Sequence, residues 1–243
     1  MKRPDKHGKQ PKLILWQHPG DDVTGMVARS EKIVNTTEEV ILQLIEQIFI
    51  ISYSNENKVF KLVFSDKDLF LLFTLQLLGG EVYHYHTKIV TKEPYVGGTF
   101  EWHQDYGYWY KYNCLFPDML TVWIAIDNCQ KSNGCLQVLR GSHKCGRIEH
   151  LIEAEQTCAD SKRVKEIANR CELVHGELNP GDALFFHCNL LHSSGDNISE
   201  NIRRAMVIAY NRASNDAGPH EKHPGYTKLY KVRKYKLILC ERF

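Results

Sequence analysis

The stretch VYHYHTKIV, residues 82–90, decides the fold class. His84, His86 and Lys88 alternate with Tyr83, Tyr85, Thr87 and Ile89. That is the period of a β-strand, whose successive side chains point to opposite faces. Short strands are also predicted over 120–126, 135–139, 172–175, 183–187 and 203–210. Turn clusters separate them: Lys131-Ser132-Asn133-Gly134, Arg140-Gly141-Ser142 and Asn179-Pro180-Gly181-Asp182. Many short strands with such punctuation predict a mainly β chain, a sandwich or a barrel. Residues 148–170 are polar, with a helical tendency over 162–168.

The chain has 243 residues, 43% of them hydrophobic, enough for one sizeable core. Residues 1–30 are expected to be a polar N-terminal segment and 31–243 a single domain. Asn35, with Glu38 three residues on, marks a helix start, and Val40, Ile41, Leu44, Ile45 and Ile48 continue with helical spacing. The formal net charge of +2, with no dense Lys/Arg stripe, gives no ground for a nucleic-acid partner. The apolar stretches 41–51 and 69–78 are too short to span a membrane. Eight cysteines occur without a CxxC or zinc-finger spacing and read as reduced thiols. No signal peptide is evident, and Cys240-Glu241-Arg242-Phe243 is not a peroxisomal tripeptide. The expected location is cytoplasmic, and the expected assembly a monomer or weak homodimer.

The chemistry is carried by His103-Gln104-Asp105 and by a later histidine followed by arginines. Two histidines and one carboxylate on one face of an octahedral ion form the facial triad of non-haem Fe(II) oxygenases, which leaves open positions for other ligands. His103 and Asp105 are expected at a strand end, where residues two apart point the same way. The second histidine has two candidates, His187 and His192. Arg203 and Arg204 fall on opposite faces of the predicted strand, and a guanidinium inside a barrel is costly unless an anion meets it.

These segments resemble the phytanoyl-CoA dioxygenase family. Trp102-His103-Gln104-Asp105-Tyr106 is similar to its first metal motif. Asn133-Gly134-Cys135-Leu136 and Gly141-Ser142-His143-Lys144 resemble its middle segment. Pro180-Gly181-Asp182 and the run from Phe185 through His192 to Gly195 resemble its closing segment, with Arg203 at the family's arginine position. The resemblance spans roughly residues 79–212. It implies a double-stranded β-helix, a jelly roll whose mouth holds the metal. In the family pattern Gly-Gly follows the helix almost at once. Here Gly79-Gly80 arrives only after residues 49–76, which lack Gly, Pro, His, Ala and Arg and read as an atypical insertion.

The resemblance implies an Fe(II)- and 2-oxoglutarate-dependent dioxygenase that hydroxylates a small-molecule or lipid-like substrate and releases succinate and CO2. O2 would be co-substrate, with ascorbate an additive in vitro. His103, Asp105 and His192 would hold the iron and Arg203 the distal carboxylate of 2-oxoglutarate. Trp123 and Lys88 match positions near that co-substrate, and Ser194 is a further contact. Tyr106, Tyr108, Trp109, Tyr110 and Tyr112 are expected to form a loop walling the mouth, with Tyr106, Trp109, Tyr110 and His84 lining the substrate pocket beside His86. The rivals are a cupin-like metal enzyme without 2-oxoglutarate and a catalytically silent barrel acting as a binding protein.

Overall fold

The strand that begins at Val82 runs to Lys92 and is the longest among the described residues. The structure is a computed structural model. It describes residues 12–16, 27–29, 33, 52–53, 60–61, 82–96, 98–153, 156–218 and 227–228. In chain order the strands are β1 (Lys12–Trp16), β2 (Ser52–Tyr53), β3 (Phe60–Lys61), β4 (Val82–Lys92), β5 (Phe100–His103), β6 (Met119–Ala125) and β7 (Leu136–Leu139). They continue with β8 (His150–Glu153), β9 (Gln156–Ala159), β10 (Leu173–Gly176), β11 (Ala183–His187), β12 (His192–Ser194), β13 (Arg203–Arg212) and β14 (Thr227–Lys228). Helix α1 is Tyr106–Trp109 and α2 is Ser161–Ala168.

Two antiparallel sheets face each other. The major sheet has the order β1-β4-β13-β6-β11, with β14 also on β4; the minor sheet is β10-β7-β12-β5. Between them lie Val90, Trp123, Ala125, Leu184, Phe186, Ala205 and Val207 from the major sheet and Leu136 and Val138 from the minor one. The outer face of the major sheet is also covered. Val122, Phe185, Met206 and Ile208 pack there with Ala28 and Ile33, and the Tyr210 hydroxyl donates to the Ala28 carbonyl at 2.5 Å. Burial on both faces explains why β6 and β11 read as nearly unbroken apolar runs. Each such Leu, Ile or Phe contributes about 1.5–3 kcal/mol.

One irregularity changes which residues share a face. In the β4–β13 ladder Ala209 pairs with His86, but Tyr210 pairs with His84, so Tyr85 is an extra residue and β4 is bulged there. From His86 to Lys92 the even residues face the interior. Before the bulge the parity reverses. His84 lies on the outer face, bonded to the Thr87 hydroxyl at 2.7 Å, and Thr87 is opposite Ile208 of the outer cluster. Strict alternation put His84 and His86 on one face, and the bulge separates them.

Other expectations shift by small amounts. Asp160 caps α2 by accepting from the Arg163 N–H at 2.8 Å, so the helix starts at Ser161, one residue before the predicted stretch. The polar region before it holds the β8–β9 hairpin, which the sequence reading passed over. Within the segment read as a polar tail, Lys12–Trp16 (KLILW) pairs with β4. The helix expected over 35–48 lies outside the described residues, as does most of 49–76. Inside that stretch β2 pairs antiparallel with β3.

Candidate metal centre

His103 ends β5, and its partner across the ladder is His192, the first residue of β12. Direct opposition brings the imidazoles together, with ring centroids 4.1 Å apart. Asp105 joins them differently from the expectation. It has left the strand, with φ −58° and ψ −38°, and stands at the start of α1. The turn through Gln104, not strand alternation, aims its carboxylate back at the histidines. One ligand atom from each of the three side chains lies within 4.8 Å of the others, and His192 Nε2 is 3.8 Å from Asp105 Oδ1.

The hydrogen bonds leave the correct atoms available. His103 Nδ1 donates to the Glu101 carbonyl at 2.7 Å, and His192 Nδ1 to the Leu190 carbonyl at 2.9 Å. A carbonyl can only accept, so each Nδ1 carries the hydrogen and each Nε2 presents a lone pair. The Thr121 hydroxyl donates to Asp105 Oδ2 at 2.5 Å and leaves Oδ1 facing the cluster. Burial holds His103 well below the usual imidazole range, and burial lowers His192 too, so both are neutral. Burial alone would raise Asp105, but the neighbouring His192, Lys88 and His103 and the Thr121 bond bring it down to about 2. Two neutral imidazoles and one ionised carboxylate are the donor set of a facial-triad Fe(II) site, and the side chains present fit such an ion.

Gln104, between two of these residues, is fully buried. Its amide donates to the carbonyls of Gly146 (2.8 Å) and Asn189 (2.7 Å), and its carbonyl accepts from the Ile148 N–H at 2.7 Å. The Gln104 N–H donates to His150 Nε2 at 2.9 Å. The first ligand strand is thereby tied to the loop that delivers His192. A Cβ on Gly107 would fall 2.2 Å from the His150 ring, so α1 meets the β8–β9 hairpin with no room for a side chain.

Farther along the interior, Arg203 and Lys92 are direct partners across the β13–β4 ladder, and both are fully buried. Arg203 Nη2 donates to the Gly134 carbonyl at 2.9 Å, and the guanidinium lies 5.4 Å from the Trp123 ring. Its Nε has no hydrogen-bond partner, and among the described residues no carboxylate pairs with it. Burial lowers it to about 10. Lys92 Nζ donates to the Ser194 carbonyl at 3.2 Å and to that of Gly195. Arg204 points outward and grips Asp127 through two bonds of 2.8 Å.

The remaining sequence candidates are placed as follows. His187 is apart from the cluster; its Nδ1 accepts the Asn189 N–H at 3.0 Å, and its ring is 5.9 Å from that of His143. Ser194 is buried and offers its carbonyl to Lys92. Lys88 is half-buried on the inner face, opposite Val207. The five aromatics form a short helix and a 3-10 turn instead of an open loop. Tyr106 is a packing residue whose hydroxyl donates to the carbonyls of Cys114 and Leu115. Trp109 is buried against Tyr85 and His86, at 5.4 and 5.7 Å between rings. Tyr108 stands 5.8 Å from the His103 ring, while Tyr110 is exposed and stacked by Arg147. His84 does not line the interior, because the bulge turns it outward. Sequence reading assigned no role to Lys92, Thr121 or Gln104. Lys92 shares the parity of Lys88, and its relation to Arg203 appears only once the register is known.

The family model for phytanoyl-CoA dioxygenase (PhyH) matches residues 28–205. L-Proline trans-4-hydroxylase from Streptomyces griseoviridis is 31% identical over 156 residues, 58% of this chain and 58% of its own length. Ectoine dioxygenase from Sphingopyxis alaskensis is 30% identical over 152 residues, 57% of this chain and 49% of its own. The chain thus spans about half the length of the curated relatives it matches, between 49% and 58% for these two. The crystal structure of EctD from S. alaskensis with 2-oxoglutarate and 5-hydroxyectoine superposes with a TM-score of 0.65 at 21% identity, covering 91% of this chain and 67% of that one. At that identity the likeness establishes the fold, a jelly roll.

Proposed function

The chain belongs to the phytanoyl-CoA dioxygenase family, and from that premise we propose that it is an Fe(II)- and 2-oxoglutarate-dependent dioxygenase that hydroxylates a small molecule. One observation carries the reading: Arg203, buried with an unmet Nε and with Lys92 beside it, in the same interior as the His103–Asp105–His192 cluster. A buried guanidinium with an unmet donor calls for an anion. The distal carboxylate of a 2-oxo acid is an anion of the right kind, and a guanidinium binds it with directed hydrogen bonds.

His103, Asp105 and His192 would hold the ferrous ion, each histidine fixed in its tautomer by a backbone carbonyl. When bound, that ion supplies the oxidative chemistry: O2 is consumed, 2-oxoglutarate is decarboxylated to succinate and CO2, and a substrate C–H bond is hydroxylated. The protein's part is positional. Arg203 and Lys92 fix the co-substrate at its far end, Trp123 forms its wall, and Thr121 restrains the Asp105 carboxylate. Phe186, whose ring is 4.9 Å from that of His192, keeps water from that side. Relatives named for L-proline and ectoine support a small-molecule substrate. Among the described residues no helix is long and apolar enough to cross a membrane. The seven cysteines among the described residues are free thiols, which supports a reducing compartment such as the cytoplasm.

The test is anaerobic titration of the Fe(II)-loaded protein with 2-oxoglutarate, following the metal-to-ligand charge-transfer band. A saturable band in the unaltered protein, lost in His192→Ala and kept in His187→Ala, is the expected result. Iron binding without a band would favour a cupin-like metal enzyme, and no iron binding a silent barrel.

A further inference from the structure

Two thiols lie on the far side of the minor sheet from the metal cluster and share their neighbours. Cys145 ends a 3-10 helix, Ser142–Cys145, and is exposed. Cys171 follows α2 and is half-buried. Cys145 lines a surface cavity of about 900 Å³ together with Ile148, Ile167 and Arg170. Cys171 packs against the apolar cluster that contains Ile148 and Ile167, and its N–H donates to the Ile167 carbonyl at 2.8 Å. The backbone closes the gap from the other side. The Arg140 N–H donates to the carbonyl of Glu172, the residue after Cys171, at 2.9 Å, and Leu139 pairs with Leu173. From Arg140 the chain reaches Cys145 largely through the 3-10 helix, which rises only about 2 Å per residue. Burial and then the neighbouring Cys145 push the Cys171 thiol up.

We propose that Cys145 and Cys171 form a redox-sensitive dithiol, which a peroxide converts to a disulfide, and that the bridge loosens the metal centre. The dithiol stands apart from the dioxygenase reading; its coupling needs only the metal cluster. The exposed Cys145 meets the oxidant. Its sulfur attacks the O–O bond, becomes a sulfenic acid and releases one water. The Cys171 sulfur then attacks that of Cys145, the S–O bond breaks, and a second water leaves with the thiol proton. Two thiols and one H2O2 give one disulfide and two waters. Cys114, Cys129, Cys135, Cys158 and Cys188 are buried and shielded from the same reagent. The consequence follows from where the 3-10 helix is tied. Ser142 Oγ accepts the N–H of Leu191, the residue before His192, at 2.9 Å. The carbonyl of Gly146, next to Cys145, accepts from Gln104, which lies between His103 and Asp105. Bonding draws two sulfurs inside their contact distance. Closure therefore moves the exposed Cys145 toward the packed Cys171 and pulls Gly146 off Gln104.

The experiment treats the metal-free full-length protein with dilute hydrogen peroxide and maps it by proteolysis and mass spectrometry without reductant. The expected product has lost two hydrogens and yields a peptide pair joined through Cys145 and Cys171, which a reductant separates. Cys145→Ser and Cys171→Ser should each abolish that pair. Titration with Co(II), after the reagents are removed, reads the coupling. The oxidised protein should bind roughly twofold to tenfold more weakly, the worth of one hydrogen bond, and reduction should restore it. Both serine variants should titrate like the reduced protein, before and after peroxide. Sulfinic acid on Cys145 with Cys171 intact, no change in mass, or a bridge to any other cysteine, Cys240 included, would overturn the dithiol. A Cys145–Cys171 bridge with unchanged Co(II) affinity would overturn the coupling. Failure of the reduced protein to bind Co(II) strikes the metal reading and the coupling together, and leaves the dithiol to the peptide map. That map is read on the unaltered chain, so it decides even where a serine variant misfolds.

Discussion

The Thr121 hydroxyl holds Asp105 Oδ2 at 2.5 Å, on the side away from the two imidazoles, while Oδ1 stands 3.8 Å from His192 Nε2. One carboxylate oxygen is thereby committed to the protein and one is offered to the cluster. Thr121→Val keeps the shape and removes the bond. Iron affinity should fall roughly tenfold to a hundredfold, since a hydrogen bond to a charged group contributes about 1.5–3 kcal/mol. Thr121→Ser should recover most of it. Anaerobic titration with Fe(II) or Co(II) measures both, and an unchanged affinity in Thr121→Val would show that the bond does not restrain the carboxylate.

Arg203→Ala should weaken 2-oxoglutarate binding roughly tenfold to a hundredfold and leave iron affinity nearly unchanged. Lys92→Met should weaken it in the same direction. Arg204→Ala should change it little, because its bonds to Asp127 are at the surface, where an ion pair contributes about 0–1 kcal/mol. The charge-transfer titration ranks the three.

Gln104→Leu should destabilise the fold by more than about 3 kcal/mol. It leaves two buried carbonyls and one N–H unmet, at about 1–3 kcal/mol each. For a chain of this size the melting temperature should drop by roughly 6 °C or more. Differential scanning calorimetry of the metal-free protein reads the loss, and a fall under 2 °C would show that the bonds are replaced by water at about equal free energy.

Acid should destabilise the metal-free protein well above the pH at which its carboxylates protonate. Burial lowers His187 to about 4, and burial followed by the nearby His187 lowers His143 to about 3. Unfolded, each takes a proton near pH 6.5. Below that pH the unfolded chain binds more protons than the native one, so stability falls with pH until the native values are reached. The urea midpoint should be steady above pH 7 and decline between pH 6.5 and 4. His187→Gln should flatten part of that decline.

Much of this was legible because β-strands and ligand motifs are local. Residues 82–90 gave up their conformation to a count of two, and β11 was bounded correctly at both ends. What could not be read was register. The bulge at Tyr85 depends on β13, more than a hundred residues later, and it alone decides that His84 faces outward. Lys88 and Lys92 are equivalent in parity, and only the ladder puts Lys92 opposite Arg203. Asp105 illustrates the converse. Two-residue spacing predicted its approach to His103, but its backbone is helical, so a right conclusion rested on the wrong geometry. The aromatic run at 106–112 misled for a similar reason: tertiary packing on Tyr85 and Cys188 made a short buried helix of what composition suggested was a loop.

With the proposed metal held between them, the opposition of His103 and His192 across the β5–β12 ladder would make coordination a gauge of strand alignment. A slip of one residue would carry His103 about 3.3 Å along β5 and turn its ring to the other face. No alternative pairing of these edges would then present both imidazoles together. A misaligned minor sheet could bury much of the same apolar surface and escape detection by any probe of secondary structure, yet it would fail to capture a metal. Metal uptake during refolding therefore distinguishes the properly zipped molecule from its near-misses, and added ion would draw a mixed population toward the former.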